Sequence, residues 1–562
     1  MKLKILIKII CFLLLLKPLL IEAQENNSNF ADIGSSVKEE LFIFSDRDLY
    51  VTNEFINFKV DYQQYPVLHM SWSKVVYIEL IKSDGTPVAQ KKLQLINNKA
   101  SGYLEIPSDL FSGIYYLKSY TRWMRNFPVE NYAYKEVKIV NPKNSFTFDN
   151  QDDKKSFQAK NLDVKAIDIT IGTDKKNYEK RENVRLEISQ TKNSGQHQPF
   201  SISVTKKGSN KINPISFANP ESEPNEFSYN FLPEIYGISL SGKLENRQTK
   251  EPVSNAMVLM ALVNDTSFLA GYKTNSDGKF FFTFPKSFNE HDIIIETDSS
   301  SDYISINIDD EFCSRPIKIS NDGFSLSDQE KELVKEYSIN NQIEEAYKTT
   351  DSAKDTTKPV EISFYGSPTR TILTHKYIDL PFLEEFIFEL IVEFQVSHRK
   401  GIPTITPRER NSFSNYPTLT LIDNVPILDY SKFFGVRTNK IECVEIVDKP
   451  YIIGDQKFSG VVHAKSYERN IAGIDLPDNS IFFDYKMFSK NETKLSGIHD
   501  TPENYPDRRN CLYWNPDISF SAQPQIIEFK TADLTGEYQV LIQTYDPVSK
   551  QILYSETSFV VE

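Results

Sequence analysis

Residues Tyr416 to Lys465 open "YPTLTLIDNVPILD", continue "IECVEIVDKPYIIGD" and close "FSGVVHAK". Thr418–Ile422 is a short β-prone run, and Asp423-Asn424 supplies a turn pair. Ile441–Val447 is a second run with apolar residues on both faces, and Val461–Ala464, after the breaker Gly460, is a third. Strands apolar on both sides need cover above and below, so the stretch predicts a compact α+β unit carrying loops. Asn424 is a residue that tolerates the left-handed backbone such a turn requires.

Immediately upstream, Leu380, Leu383, Phe386, Ile387 and Leu390 fall at helical spacing, with Glu384, Glu385 and Glu389 opposite or flanking. The stripe predicts a helix docked on that sheet, with a partner-binding helix as the alternative. Together these residues resemble the plug domain of TonB-dependent outer-membrane receptors: "LTLIDNVPI" stands for "liDGvPv", "IECVEIV" for "IerIeVl", and Gly454 and Gly460 for the later glycines. A receptor barrel of ~22 strands at roughly 10 residues each does not fit between Lys465 and Glu562. The expectation is a plug-like domain over 361–490 with no barrel.

Toward the N-terminus, Met1–Ala23 has Lys2, Lys4 and Lys8, the apolar run "IICFLLLL" and "IEA" before Gln24, the three parts of a secretory signal. Its removal takes away four lysines and one glutamate, a net +3, and moves the formal charge from −13 to −16. That balance disfavours nucleic acid and anionic membrane surfaces as partners. Cys313, Cys443 and Cys511 then remain, one in each of three expected domains; they read as separate buried thiols, not a disulfide framework. At 562 residues the chain is long enough for roughly four or five domains.

Between the signal and the helical stripe the pattern is β throughout. "DRDLYVTNE" (Asp46, Tyr50, Glu54) and "DKKNYEKRE" (Asp174, Tyr178, Glu182) repeat the same four-residue spacings 128 residues apart, each leading into an alternating strand. The tyrosine packs its ring on the core edge while the carboxylates cap the turn, so these are structural punctuation rather than a catalytic pair. With Gly113-Ile114-Tyr115-Tyr116-Leu117, the pattern resembles the macroglobulin-like domains of the alpha-2-macroglobulin superfamily, although Asn53 and Arg181 stand where that family has glycine. "YTRWMRNFP" (Tyr120–Pro128) resembles exported Bacteroidota proteins that join such domains to a plug. The Cys-Gly-Glu-Gln thioester motif is absent from the sequence. Tyr236–Pro285, with "EPVSNAMVLMALV" and "NSDGKFFFTF", resembles the carboxypeptidase-regulatory-like fold, a binding or structural sandwich.

The expected organisation is therefore mainly β: a signal peptide over 1–23, macroglobulin-like sandwiches over 39–145 and 160–235, and a carboxypeptidase-regulatory-like sandwich over 236–320. A helix (Phe324–Tyr347) with Ser327-Asp328 as its cap, and a linker, follow over 321–360, then the plug-like domain over 361–490. Residues 500–562 supply further sandwich strands, of their own or completing an earlier one, and Gly536-Glu537-Tyr538 there is similar to Gly113-Ile114-Tyr115 of the first sandwich. In the linker, Asp351-Ser352-Ala353 resembles the Bacteroidota O-glycosylation site, making Ser352 its candidate serine.

Motifs for chemistry are missing. The seven histidines share no metal-ligand spacing, and there is no G-x-S-x-G, P-loop, G-x-G-x-x-G or H-E-x-x-H. Asp302, Asp309, Asp310 and Glu311 lack the EF-hand glycine and spacing, so they read as surface loops. No catalytic, cofactor-binding or metal residue is assigned, and no cofactor is expected. The resemblances imply an exported, non-enzymatic interaction or scaffold protein of the Bacteroidota envelope, periplasmic, outer-membrane associated or at the cell surface. Its partners would be outer-membrane or periplasmic proteins such as a TonB-dependent transporter or secretion complex. One alternative is capture of a glycan or peptide for a separate transporter, for which Trp72, Trp123 and Trp514 are the candidate binding aromatics. Thioester-less protease defence is the other.

Overall fold

Alternating runs become strands throughout the computed structural model, which describes residues 37–67, 71–144, 147–148, 157–190, 199–212, 214–217, 230–263, 268–284, 289–298, 303–320, 323–347, 363–377, 380–399, 401–409, 412–454, 456–476, 479–494, 505–519 and 524–562. The signal segment, His69, Asp302 and Ser352 lie outside them. The architecture is mainly β, built from several sheets, with no closed barrel among the described residues. Nor is any described helix long and apolar enough to cross a membrane. The chain divides into two units, one of 1–236, 314–350 and 489–562, the other of 237–313 and 351–488.

In the first unit, one sandwich pairs a sheet of Lys38–Ser45, Phe55–Tyr65 and Lys99–Glu105 with a sheet that runs Pro87–Gln94, Val75–Lys82, Ser112–Tyr120, Ala133–Val140. The two layers approach closely at Gly102, where a Cβ would stand 3.2 Å from Leu93 of the facing sheet. A second sandwich has the same order. Ile169–Thr173, Asn183–Gln190 and Gln525–Lys530 form its small sheet; Cys511–Ile518, Phe200–Lys206, Gly536–Asp546 and Gln551–Val561 form the facing one. The two-residue alternation is explicit in its core, where Leu186, Ile188 and Phe529 of the small sheet meet Ile202, Val204, Val540 and Ile542 of the large one.

Residues 500–562 therefore do not stand as a separate sandwich; they complete the one begun at 160. Ser203 lies between Trp514 on one side and Leu541 on the other. In the first sandwich the hairpin from Val75–Lys82 to Pro87–Gln94 turns through Ser83-Asp84-Gly85-Thr86. In the second, everything from Lys207 to Asn510 is inserted at the equivalent turn. Hydrogen bonds of a ladder fix strands across any sequence distance, so a hairpin tolerates such an insertion once both arms are paired.

The insertion includes the long helix Asp328–Tyr347. Its start is a capping box: the Glu330 N–H donates to the Ser327 hydroxyl (3.2 Å) and the Ser327 N–H to the Glu330 carboxylate (2.8 Å). Leu333, Val334 and Tyr337 then pack on Leu49, Val51 and Val140.

In the second unit, a sheet of Lys279–Thr283, Ser239–Asn246 and Ile304–Ile308 accompanies one of Leu269–Lys273, Met257–Leu262, Glu290–Thr297 and Ser480–Lys486. Gly278 (φ 70°) makes the expected turn, since a Cβ there would lie 2.4 Å from the Leu244 carbonyl oxygen. Ser480–Lys486, placed by sequence in the plug-like domain, instead pairs with Glu290–Thr297.

The deciding stretch forms one five-stranded sheet, ordered Arg370–Leu373, Ile441–Val447, Val461–Ser466, Leu419–Ile422, Val425–Pro426. Leu419, Ile441 and Val461 thus share it, with Leu419 opposite Val461 in a parallel pair. Asp423 (φ 49°) and Asn424 (φ 70°) both take the left-handed conformation of the two-residue hairpin turn. Helices Leu383–Leu390 and Tyr430–Phe434 cover one face, where Leu383, Phe386, Ile387 and Phe433 pack on Ile422, Val444, Ile446 and Val462. Leu419, Leu421 and Val461, on the other face, pack with Met257 and Leu259.

Candidate functional site

The three tryptophans are all core residues. Trp72 and Trp123 meet edge to face at 5.6 Å, and the Trp123 indole N–H donates to the Val37 carbonyl (3.0 Å). Trp514 is 1% exposed, its indole nitrogen without a hydrogen-bond partner, in the other sandwich of that unit. The expected binding aromatics are corrected accordingly: no groove displays them. An indole buries a large apolar area, and in sandwiches poor in methionine that area is used inside. The "YTRWMRNFP" run is likewise a clasp. Thr121 donates to Glu39, Arg125 lies 4.0 Å over the Phe231 ring, and the Asn126 amide donates to the Phe231 carbonyl (2.7 Å). Glu39, buried and also bonded by Tyr62 and Ser73, is pushed up to about 7 by that burial.

Both repeated turns are built alike. In the first, the Tyr50 hydroxyl donates to the Asp46 carboxylate (2.8 Å), which also accepts the Asn57 N–H (3.0 Å), and Glu54 accepts the Val51 N–H (2.7 Å). In the second, Tyr178 donates to Asp174 (2.6 Å), Asp174 accepts the Arg185 N–H (3.0 Å), and Glu182 accepts the Glu179 N–H (2.7 Å). Each short strand that follows pairs in parallel with the last strand of its sandwich, Leu49 opposite Lys138 and Asn177 opposite Val560. Carboxylates so fully used by backbone donors are capping groups.

A cleft of about 540 Å³ in the first unit is lined by Asp48, Glu136, Lys138, Lys211 and Glu330 among others. Burial would raise Glu330, but the Ser327 N–H, Lys211 and Lys138 outweigh it and hold the carboxyl at about 2. Both lysines stand 3.0 Å from it. Burial and the neighbouring Asp48 raise Glu136 above the usual carboxylate range. Acid and base here neutralise one another.

In the second unit the sheet face behind the Asp423-Asn424 turn carries a buried polar chain. The Asn424 N–H donates to His463 Nε2 (3.0 Å), which leaves the ring proton on Nδ1, 2.7 Å from the Tyr365 hydroxyl. Tyr365 in turn donates to Glu445, whose other oxygen is 3.1 Å from Lys465 Nζ. His463 is fully buried and, through burial and the charges of Lys465 and Arg469, is held neutral well below the usual imidazole range. Asp423 accepts the N–H groups of Ser466 (2.6 Å) and Ile471 (2.9 Å). Glu296, buried at 1% exposure, is pushed up to about 8 by that burial, its carboxylate accepting the Leu428 N–H at 3.3 Å. Cys443, beside Glu445 on this face, is raised to about 11 by burial.

Sequence reasoning gave Asp423-Asn424 the turn and Cys443 a buried thiol, but assigned His463, Tyr365, Glu445, Lys465 and Glu296 no role. One signal was present: in an antiparallel pair, Cys443 and Glu445 of "IECVEIV" fall opposite Lys465 and His463 of "VVHAK". All three described cysteines are buried and none is in a disulfide. Among the described residues no three His, Cys, Asp or Glu side chains gather as a metal site.

No protein-family model and no curated protein matches the chain. Among solved structures, trypsin-activated alpha-2-macroglobulin from Escherichia coli aligns at TM-score 0.23 and 8% identity, over 93% of this chain and 41% of that one. Salmonella alpha-2-macroglobulin reacted with methylamine aligns at 0.22 and 9%, over 93% and 39%. The BSP domain of a biofilm-associated protein aligns at 0.13 and 9%, over 51% and 30%. The chain thus spans about two fifths of the length of the macroglobulins it matches. At these scores the likenesses carry no argument, and the sandwich assignment rests on the strand pairings.

Proposed function

We propose that the chain is an exported, non-enzymatic interaction protein of the cell envelope, an accessory or scaffold for an outer-membrane transport or secretion assembly. One observation carries the reading: the groups suited to chemistry are enclosed and committed to holding turns and sheets. His463 has both ring nitrogens engaged and no solvent contact. The repeated Asp, Tyr and Glu residues cap turns. What a partner meets is therefore the outside of the β modules, by strand addition or loop recognition. Burial of Trp72, Trp123 and Trp514 removes the feature that favoured glycan capture.

Affinity purification of the full-length protein from envelope fractions at low salt tests the proposal. Recovery with a stoichiometric envelope protein is the expected result. A free monomer under those conditions overturns it.

A further inference from the structure

The helix Leu383–Leu390 is apolar on two sides. Leu383, Phe386 and Ile387 are buried against the five-stranded sheet, as the stripe in the sequence requires. Yet Phe388 and Val392, the latter just past the helix end, are each 62% exposed, and Phe382 before it is 40% exposed. Glu385, Phe388 and Glu389 are three and four residues apart and share one face. A buried stripe on one side leaves no inward place for Phe388, and a phenylalanine and a valine left in water four residues apart mark a surface meant to be covered.

The surrounding charge selects the cover. Glu384, Glu385 and Glu389 rim Phe388; His398, from the adjacent strand, is 3.1 Å from Glu384, and Arg370 is taken up by Glu393 at 3.2 Å and by the Leu390 carbonyl at 2.6 Å. A second copy of this face would set carboxylates against carboxylates, and so would an anionic lipid surface. We infer that this face docks an amphipathic segment of another protein, apolar where it covers Phe388 and Val392 and basic at its margins. The inference deepens the interaction reading and rests on it.

The probe is a synthetic amphipathic helix with leucine on one face and lysine on the other, against its leucine–glutamate counterpart, titrated into the full-length protein. The wild type should prefer the lysine peptide by ~tenfold or more. Phe388→Ser with Val392→Ser should weaken that binding ~tenfold without moving the thermal midpoint, because both side chains are exposed. Glu384→Lys with Glu389→Lys should reverse the preference; Glu385 is spared because its carboxylate accepts the Phe382 N–H (3.2 Å). An unchanged preference after charge reversal overturns the inference. So does tighter binding to phosphatidylglycerol vesicles than to the lysine peptide, or a dimer abolished by the serine pair. If the serine pair still co-purifies with an envelope partner, this face is refuted while the interaction reading stands. A wild type recovered as a free monomer defeats that reading instead.

Discussion

The two repeated turns of the first unit hold the same bonds in opposite surroundings. Around Asp46 the network is closed over: Arg47 pairs with Glu54 at 3.0 Å, its guanidinium lies between the rings of Tyr50 and Tyr337, and Asn510 donates to Glu54 at 2.7 Å. Around Asp174 the corresponding pair is Lys175 with Glu182, in solvent. The turn geometry survives this change, so it is set by the local bonds among Asp, Tyr, Glu and the backbone. What differs is the consequence of breaking it. The buried copy lies under the long helix and has become part of the joint between helix and sandwich, through Asn510 and Asn340 at 2.8 Å; the exposed copy bonds within its own sandwich, Arg181 to Asp533 and the Glu182 N–H to Thr531.

The largest expected effect comes from the ion pairs. Arg47→Ala leaves Glu54 and Asp46 buried without their cation, and should lower unfolding stability by about 3–5 kcal/mol in urea titrations. Lys175→Ala at the equivalent position should leave the midpoint where it is, since an exposed pair is screened. Equal losses would show that burial is not what separates the copies. Next come the tyrosines. Tyr50→Phe deprives a buried carboxylate and the Arg47 N–H (3.1 Å) of one hydroxyl, costing about 1–3 kcal/mol. Tyr178→Phe, whose Asp174 stays hydrated, should cost about 1 kcal/mol.

Acid sharpens the contrast because the two aspartates shift in opposite directions. Burial raises Asp46, more than Arg47, Tyr50 and Asn57 lower it. For Asp174 burial is outweighed by the Tyr178 hydroxyl and the N–H groups of Arg185 and Asp174 itself, and the carboxyl is lowered. The native state thus holds the Asp46 proton after the unfolded chain has released it, and the linked stability is present below the unfolded value of about 3.9 and lost as pH rises through the native one. Asp174 contributes stability present above about 3.9 and lost as pH falls through its native value. The loss caused by Asp46→Asn should therefore shrink as pH rises, and the loss caused by Asp174→Asn should grow. Parallel slopes in urea midpoints across the acid range would reject this assignment.

How much of this was readable follows from the range of each interaction. The turns were, because Asp, Tyr and Glu act on a backbone a few residues away. So were the helix cap at Ser327 and the buried stripe of Leu383, Phe386 and Ile387, which depend on spacing within one element. The second sandwich was legible in its opening turn and first strands but not in its closure: Phe200–Lys206 and Cys511–Ile518 are the two arms of one hairpin, and the insertion between them leaves no local trace of their pairing. Gly536-Glu537-Tyr538, the echo of Gly113-Ile114-Tyr115, was the one clue that the last strands repeat the earlier hairpin. The chain from Asn424 through His463 and Tyr365 to Glu445 stayed hidden for the same reason, since it needs strand register and a segment near residue 365 folded over the sheet. Tryptophan misled in the other direction: residue type alone does not say whether an indole faces a groove or a core.

The smallest effect concerns the position where both turns depart from glycine. Asn53 (φ 70°) and Arg181 (φ 58°) are both left-handed, a conformation asparagine adopts with little strain and arginine at a cost of about 1 kcal/mol. Asn53→Gly should therefore move stability by no more than about 0.5 kcal/mol. Arg181→Gly relieves more strain but gives up two contacts with Asp533, Nε at 2.7 Å and Nη2 at 2.8 Å, a half-exposed pair worth about 1 kcal/mol, so the net change should be near zero. The cancellation can be taken apart by a double-mutant cycle. In an Asp533→Ala background the ion pair is already gone while the Nη2 bond to the Tyr505 carbonyl remains, so Arg181→Gly should there be about 1 kcal/mol more favourable than in the wild type. If it remains neutral, the pair with Asp533 contributes nothing to stability, and tolerance of a non-glycine residue at this turn comes from the turn's own bonds.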